Sequence, residues 1–137
     1  MTKKEIKNKQ SNIRKKNWLQ SGKCRECGDE NPVKSNFCLK CYLIRVAAKR
    51  LGTGKYWKDL ISLMESQKFQ CALTGDKLVW GGEIELDHII PESKGGQKIL
   101  SNVRWVTKDA NRIKQYLTDL ELKYLCQKIL DKLVKIV

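Results

Sequence analysis

The run Ile84–Lys114, IELDHIIPESKGGQKILSNVRWVTKDANRIK, decides how the rest of the chain is read. It holds the one histidine of the 137 residues, His88, directly after Asp87. Alternation at Ile84, Leu86 and His88 predicts a strand with those side chains on one face and Asp87 on the other. A bend or bulge at the strand end is then needed if Asp87 and His88 are to face one ligand. Pro91 stops the strand pattern, and Lys94-Gly95-Gly96 reads as a flexible basic loop. Val103, Trp105 and Thr107 alternate again and predict a second strand. Asp109 to Leu117 reads as a helix, with Asn111 in its first turn and Lys114 three residues on. Taken singly, these residues are ordinary: a histidine at a strand end is usually a hydrogen-bonded structural residue. Asn102 and Asn111 would by default be turn or cap residues. Together they set a carboxylate, an imidazole and two carboxamides on two strands and a helix, a set that suits metal-assisted hydrolysis.

Working outward, Tyr56–Lys68 places Trp57, Leu60, Ile61 and Met64 at i, i+3, i+4, i+7, an amphipathic helix with its apolar face inward. Cys71 to Gly75 is a turn signal. Lys77–Trp80, Gly81-Gly82 and Glu83–His88 predict a β-hairpin with a Gly-Gly connection. Thr118 to Glu121 has capping-box spacing and opens a last helix over about 119–135. Gly52-Thr53-Gly54 is the candidate hinge to what precedes.

Before that hinge, CRECGDENPVKSNFCLKC (24–41) pairs Cys24 with Cys27 and Cys38 with Cys41. Two C-x-x-C turns close a tetrahedron of sulfur, which suits one structural zinc ion; iron–sulfur or redox chemistry is the other use of such pairs. A helix over 42–51 leaves this module, with Arg45 and Lys49 on its basic face and Arg50 beside the apolar one. Residues 1–20 are a basic lead, including Lys15 and Lys16, that reads as a solvated, partly disordered tail able to settle along a duplex.

The net charge is +13. Such self-repulsion is easiest to understand with a polyanionic partner. No uncharged apolar run reaches membrane-spanning length, so no membrane is expected. The first residues lack the apolar core of a secretory signal, and the cysteine usage fits a reducing compartment, so an intracellular protein is expected.

At this point the residues resemble a known family, the HNH nucleases with their ββα-metal fold. The likeness runs from about Tyr56 to Lys114, and D-H-I-I-P, the Gly-Gly loop, S-N-V-R and N-x-x-K carry it together. The whole chain is similar to small phage or organellar HNH homing endonucleases. The resemblance implies an α+β fold: an HNH nuclease domain at 55–137 with flanking helices, preceded by a four-cysteine zinc ribbon at 21–51 and a basic arm at 1–20. It implies that His88 is the general base and that Asp87 and Asn111 bind one magnesium or manganese ion. Asn102 would orient His88 or its strand. The chemistry agrees, because histidine is the side chain that ordinarily titrates near neutrality and oxygen donors suit a hard cation on a phosphate. Many family members carry a second zinc at positions that here read Cys71, Thr74, Thr107 and Ala110. One thiol survives, so packing by Trp80, Trp105 and the C-terminal helix is expected in its place.

The expected function is therefore metal-dependent cleavage or nicking of double-stranded DNA, of homing rather than restriction type. No small-molecule substrate is expected, and a monomer is preferred to a dimer. Lys15, Lys16, Arg45, Lys49, Arg50, Lys94, Arg104, Arg112 and Lys114 are the candidate DNA contacts. The reading from another class is a non-catalytic zinc-ribbon protein that binds DNA or RNA on an HNH-like scaffold.

Overall fold

A computed structural model describes residues 1–135. Among them are five α-helices and two two-stranded sheets, a mixed α+β architecture. Among the described residues no helix is long and apolar enough to cross a membrane.

Helix α1 spans Lys3–Gln20, so the lead expected as a partly disordered tail is helical. The local reasons are a run without Gly or Pro and a capping box at Thr2 and Glu5. None of its residues is buried. Trp18 anchors its far end: a Cβ on Gly28 would come within 2.7 Å of the indole, and Lys15 pairs with Glu26 at 2.8 Å.

Strands β1 (Pro32–Lys34) and β2 (Phe37–Cys38) pair antiparallel and lead into helix α2 (Leu39–Leu51). Cys24, Cys38, Cys41 and Phe37, with Tyr42 packed against them, form one small core, and Cys27 is exposed. Leu43, Ala47 and Leu51 of α2 instead join the main core with Leu60, Met64, Leu86, Trp105 and Val106. The expected hinge at Gly52-Thr53-Gly54 therefore works as a turn within packed structure. Gly52 takes φ 77° to end α2, and a short 3₁₀ turn, Gly54–Tyr56, carries the chain into α3 (Trp57–Ser66).

The main sheet differs from the expected hairpin. Strand β3 (Ile84–His88) pairs with β4 (Val103–Thr107), from Ile84 opposite Thr107 to His88 opposite Val103, while Lys77 makes only an isolated bridge to Gln70. Gly81-Gly82 has another use. A Cβ on Gly81, at φ 85°, would lie 2.3 Å from the Val33 carbonyl oxygen, and Lys34 Nζ donates to the Gly82 carbonyl at 3.1 Å. The glycine pair thus seats the cysteine-rich ribbon against the core. The ladder is also regular through Asp87 and His88, without the anticipated bulge.

Helix α4 (Lys108–Lys114) follows β4 directly, capped by Thr107. Trp105 is fully buried, donates Nε1–H to the Leu60 carbonyl at 3.0 Å and meets Trp80 edge-on at 5.4 Å. Truncating such a residue to alanine costs about 3–5 kcal/mol. Helix α5 (Asp119–Val134) buries no residue, so the C-terminal helix does not help fill the core as expected.

Candidate functional site

The far end of β3, the following loop and α4 enclose a cleft of about 560 Å³. Asp87, His88 and Asn111 all line it, with Glu85, Arg50 and Arg112. Asp87 and His88, the last two residues of β3, both line the cleft without a bulge in the ladder.

His88 is 8% exposed, and its Nε2 lies 2.8 Å from the Arg50 carbonyl oxygen. A carbonyl only accepts, so Nε2 is the donor, and in the neutral ring Nδ1 holds the lone pair. The Arg50 carbonyl is available because it belongs to the last turn of α2, where carbonyls lack intrahelical donors. Among the described residues Nδ1 has no hydrogen-bond partner, yet no partnerless side-chain nitrogen is sealed from solvent. The lone pair is thus open.

Asp87 is 5% exposed and fixed from two sides. Lys114 Nζ donates to Oδ1 at 3.0 Å and Arg104 Nε donates to Oδ2 at 3.0 Å. Each carboxylate oxygen keeps a second acceptor direction. These contacts correct two expected DNA contacts. Lys114 is wholly buried and also donates to the His88 carbonyl at 2.8 Å, so it cannot reach a phosphate. Arg104 is 12% exposed and spans Asp87 and Asp119. At Asp119 the Arg104 hydrogen bond outweighs burial and holds the carboxyl below its ordinary range. The helical pattern misled here because Lys114 sits one turn beyond Ala110, on the face that α4 buries.

Asn102 does not touch the imidazole. Its carboxamide accepts from Ile90 N–H at 2.9 Å and donates to the Ile90 and Gln97 carbonyls, so it closes the loop that follows His88. That loop is tightly built rather than flexible, since a Cβ on Gly96 would overlap the Ile90 carbonyl oxygen at 1.7 Å. Asn111 donates Nδ2–H to Glu85 Oε2. Glu85 was missed on the sequence. The available signal was the period-two pattern, which puts it on the same strand face as Asp87. At Tyr42, burial first and the Glu85 charge second raise the hydroxyl above its ordinary value.

Of the remaining candidate cations, Lys16, Arg45, Lys49 and Arg112 are exposed and Arg50 is half-buried at the cleft. Lys94 is tied to Glu121 and Lys15 to Glu26. Arg45 lies 4.7 Å over the Phe37 ring and, with Lys34 and Lys49, borders a second groove of about 730 Å³ along α2.

The Sγ atoms of Cys24, Cys27, Cys38 and Cys41 all lie within 4.8 Å of one another, and Cys27 and Cys38 are 3.6 Å apart. A tetrahedral zinc–thiolate site with bonds of about 2.3 Å needs sulfurs roughly 3.8 Å apart, so the four residues could hold a structural metal such as zinc. Burial pushes the Cys38 and Cys41 thiols up. At Cys24 burial is outweighed by N–H groups of Cys38, Cys27 and Glu26, which bring it down to about 6.

The Cys71–Gly75 turn repeats the Cys24–Gly28 knuckle in its backbone. In each, the first cysteine N–H donates to a carbonyl five residues on at 2.7 Å, and the glycine N–H returns to the cysteine carbonyl at 2.8 Å. Hydrogen bonds hold the second knuckle: Thr107 N–H donates to Cys71 Sγ at 3.3 Å, and Thr107 Oγ1 accepts from Ala110 N–H. No protein-family model matches this sequence and no curated protein matches it, so the functional reading rests on the side chains of the cleft.

Proposed function

We propose that this chain is a metal-dependent endonuclease of the HNH type that hydrolyses DNA phosphodiester bonds. The observation that carries the proposal is the 2.8 Å contact of His88 Nε2 with the Arg50 carbonyl oxygen, at the cleft that His88 lines. An imidazole whose Nε2 is tied to a backbone carbonyl, whose Nδ1 has no partner among the described residues, and which lines a cleft with Asp87 and Asn111 suits a general base. In this reading His88 Nδ1 accepts the proton of the attacking water. Asp87 and the Asn111 carbonyl oxygen would hold one magnesium or manganese ion, which would supply charge stabilisation to the phosphoryl group. Asn102 fixes the loop after the base, and Lys114 with Arg104 fixes Asp87. The ladder of β3 and β4 followed by α4 corresponds to the ββα unit.

The four cysteines hold one structural zinc, and the ribbon at 21–51 with the arm at 1–20 tracks the duplex beside the nuclease unit at 55–137. Exposed Lys16, Arg45, Lys49 and Arg112 supply phosphate contacts, and Arg50 reaches the cleft. A homing-type enzyme fits a compact catalytic unit with DNA-binding extensions.

The test incubates supercoiled plasmid with the full chain, with magnesium, manganese or EDTA, beside His88→Ala. Loss of a positioned general base is expected to slow nicking on the order of 100- to 10,000-fold. Wild type and His88→Ala nicking alike would refute the proposal. Salt-sensitive DNA binding with no metal-dependent cleavage would instead identify a non-catalytic binding protein.

A further inference from the structure

We propose that Glu85 is a positioning residue that aims the Asn111 carbonyl oxygen at the metal; this rests on the one-metal reading above. Three carboxylates line the cleft. Asp87 is paired with Arg104 and Lys114, and Glu92 with Lys98 at 3.5 Å. Glu85, half-buried, has no cationic partner within 4 Å among the described residues. Its contact is instead the Asn111 carboxamide.

That contact has one possible sense. A carboxylate only accepts, so Asn111 must turn its NH₂ towards Glu85, and Oδ1 points away. Oδ1 has no partner among the described residues, and no partnerless side-chain oxygen is sealed from solvent. Asn111 lines the cleft with Asp87, and Oδ1 is its side-chain polar atom left without a partner among the described residues. An unrestrained carboxamide can flip and present NH₂, which repels a cation. A charged acceptor behind Nδ2 removes that choice. Strand period ties the parts together, since Glu85 and Asp87 leave one face of β3 two residues apart.

The test titrates the zinc-loaded full chain with Mn²⁺, followed by electron paramagnetic resonance, so it does not depend on cleavage. Glu85→Asp keeps the charge but withdraws the oxygen from Nδ2, while Glu85→Gln keeps an acceptor in place without the charge. Glu85→Asp and Glu85→Ala are expected to weaken Mn²⁺ binding about 10-fold, and Glu85→Gln by no more than about 3-fold. The double variant Glu85→Ala/Asn111→Ala should bind as Asn111→Ala does, because Glu85 acts only through Asn111.

Wild-type affinity in Glu85→Asp with weakened binding in Glu85→Gln would overturn the proposal in favour of a bulk charge effect. Losses that add in the double variant would overturn it in favour of direct ligation. Unchanged binding in every Glu85 variant would refute it and leave the one-metal reading standing. A wild-type chain that takes no Mn²⁺ would remove that reading and this proposal with it.

Discussion

Replacing Lys114 with methionine separates the structural account of this residue from the one its sequence position suggests. Met keeps the length and volume of the stem and removes the ammonium. In the wild type that ammonium donates to Asp87 Oδ1 at 3.0 Å and to the His88 carbonyl at 2.8 Å. Lys114 is 0% exposed and Asp87 5%, so solvent does little to screen the pair. Deleting one partner of a buried pair leaves an uncompensated charge and costs about 3–5 kcal/mol. Arg104 Nε remains on Oδ2, so the lower end, about 3 kcal/mol, is the expected loss. For a chain of this length that corresponds to a melting temperature lower by about 9 °C. Denaturant unfolding followed by circular dichroism, at fixed zinc, measures it. Adding Asp87→Asn removes the stranded charge, so the double variant should recover at least about 1 kcal/mol relative to the sum of the single changes. The reasoning is refuted if Lys114→Met unfolds within about 0.5 kcal/mol of wild type. Weaker DNA binding with a salt slope reduced by about one, at unchanged stability, would restore Lys114 as a phosphate contact.

Three further outcomes follow from individual contacts. Nitrogen-15 spectra of the neutral His88 ring should show the proton on Nε2, since the Arg50 carbonyl faces it; a proton on Nδ1 would close the lone pair assigned to the cleft. Gly81→Ala should destabilise by about 2 kcal/mol or more, because φ is 85° and the new Cβ would meet the Val33 carbonyl at 2.3 Å. Gly52→Ala, at φ 77° in open space, is the control and should cost only about 1 kcal/mol; equal losses would mean that Gly81 does not seat the ribbon. Elemental analysis should find one zinc per chain and none in Cys24→Ser. Chelation should lower the melting of the whole body in one transition, because α2 carries both Cys41 and the core residue Leu43. A chelated protein that melts unchanged would rule this out.

The sequence was most legible where one local pattern determines one outcome. Trp57, Leu60, Ile61 and Met64 repeat at helical spacing, and α3 forms with Leu60 and Met64 fully buried. The cysteine pairs converge because each C-x-x-C turn aims two thiols locally. Asp87, His88 and Asn111 reach one cleft from the end of one strand and the first turns of one helix, the elements on which the sequence pattern put them. Strand partnering was not legible, since Lys77–Trp80 and Val103–Thr107 are both short runs rich in strand-forming residues and the choice depends on where the intervening loop packs. The fates of Arg104 and Lys114 were hidden for a related reason. A lysine on a basic helix reads as solvated until the carboxylate across from it is known, and that carboxylate lies on another element. Nor could the sequence reveal the Arg50 carbonyl behind His88, because a backbone acceptor exists at every position. Only Gly52, as the residue that ends α2, hinted that a free carbonyl would be there.

On the proposed function, the distribution of charge would divide attraction and chemistry between surfaces. A net charge of +13 would draw a polyanion from a distance, yet the cleft itself is not a basic pocket. Glu85, Asp87 and Glu92 line it against Arg50 and Arg112. A pocket lined only by cations would hold phosphate well and exclude a divalent ion. One lined only by unpaired carboxylates would concentrate the ion and repel phosphate. Lys114 and Arg104, placed behind Asp87 and away from solvent, offset its charge while leaving each oxygen an open acceptor direction. Their burial carries a desolvation cost that a surface position would avoid. What it provides is a carboxylate fixed at both oxygens before any ligand arrives, beside a histidine whose proton is already assigned. That preorganisation, rather than the abundance of lysine, distinguishes this cleft from the basic surface around it.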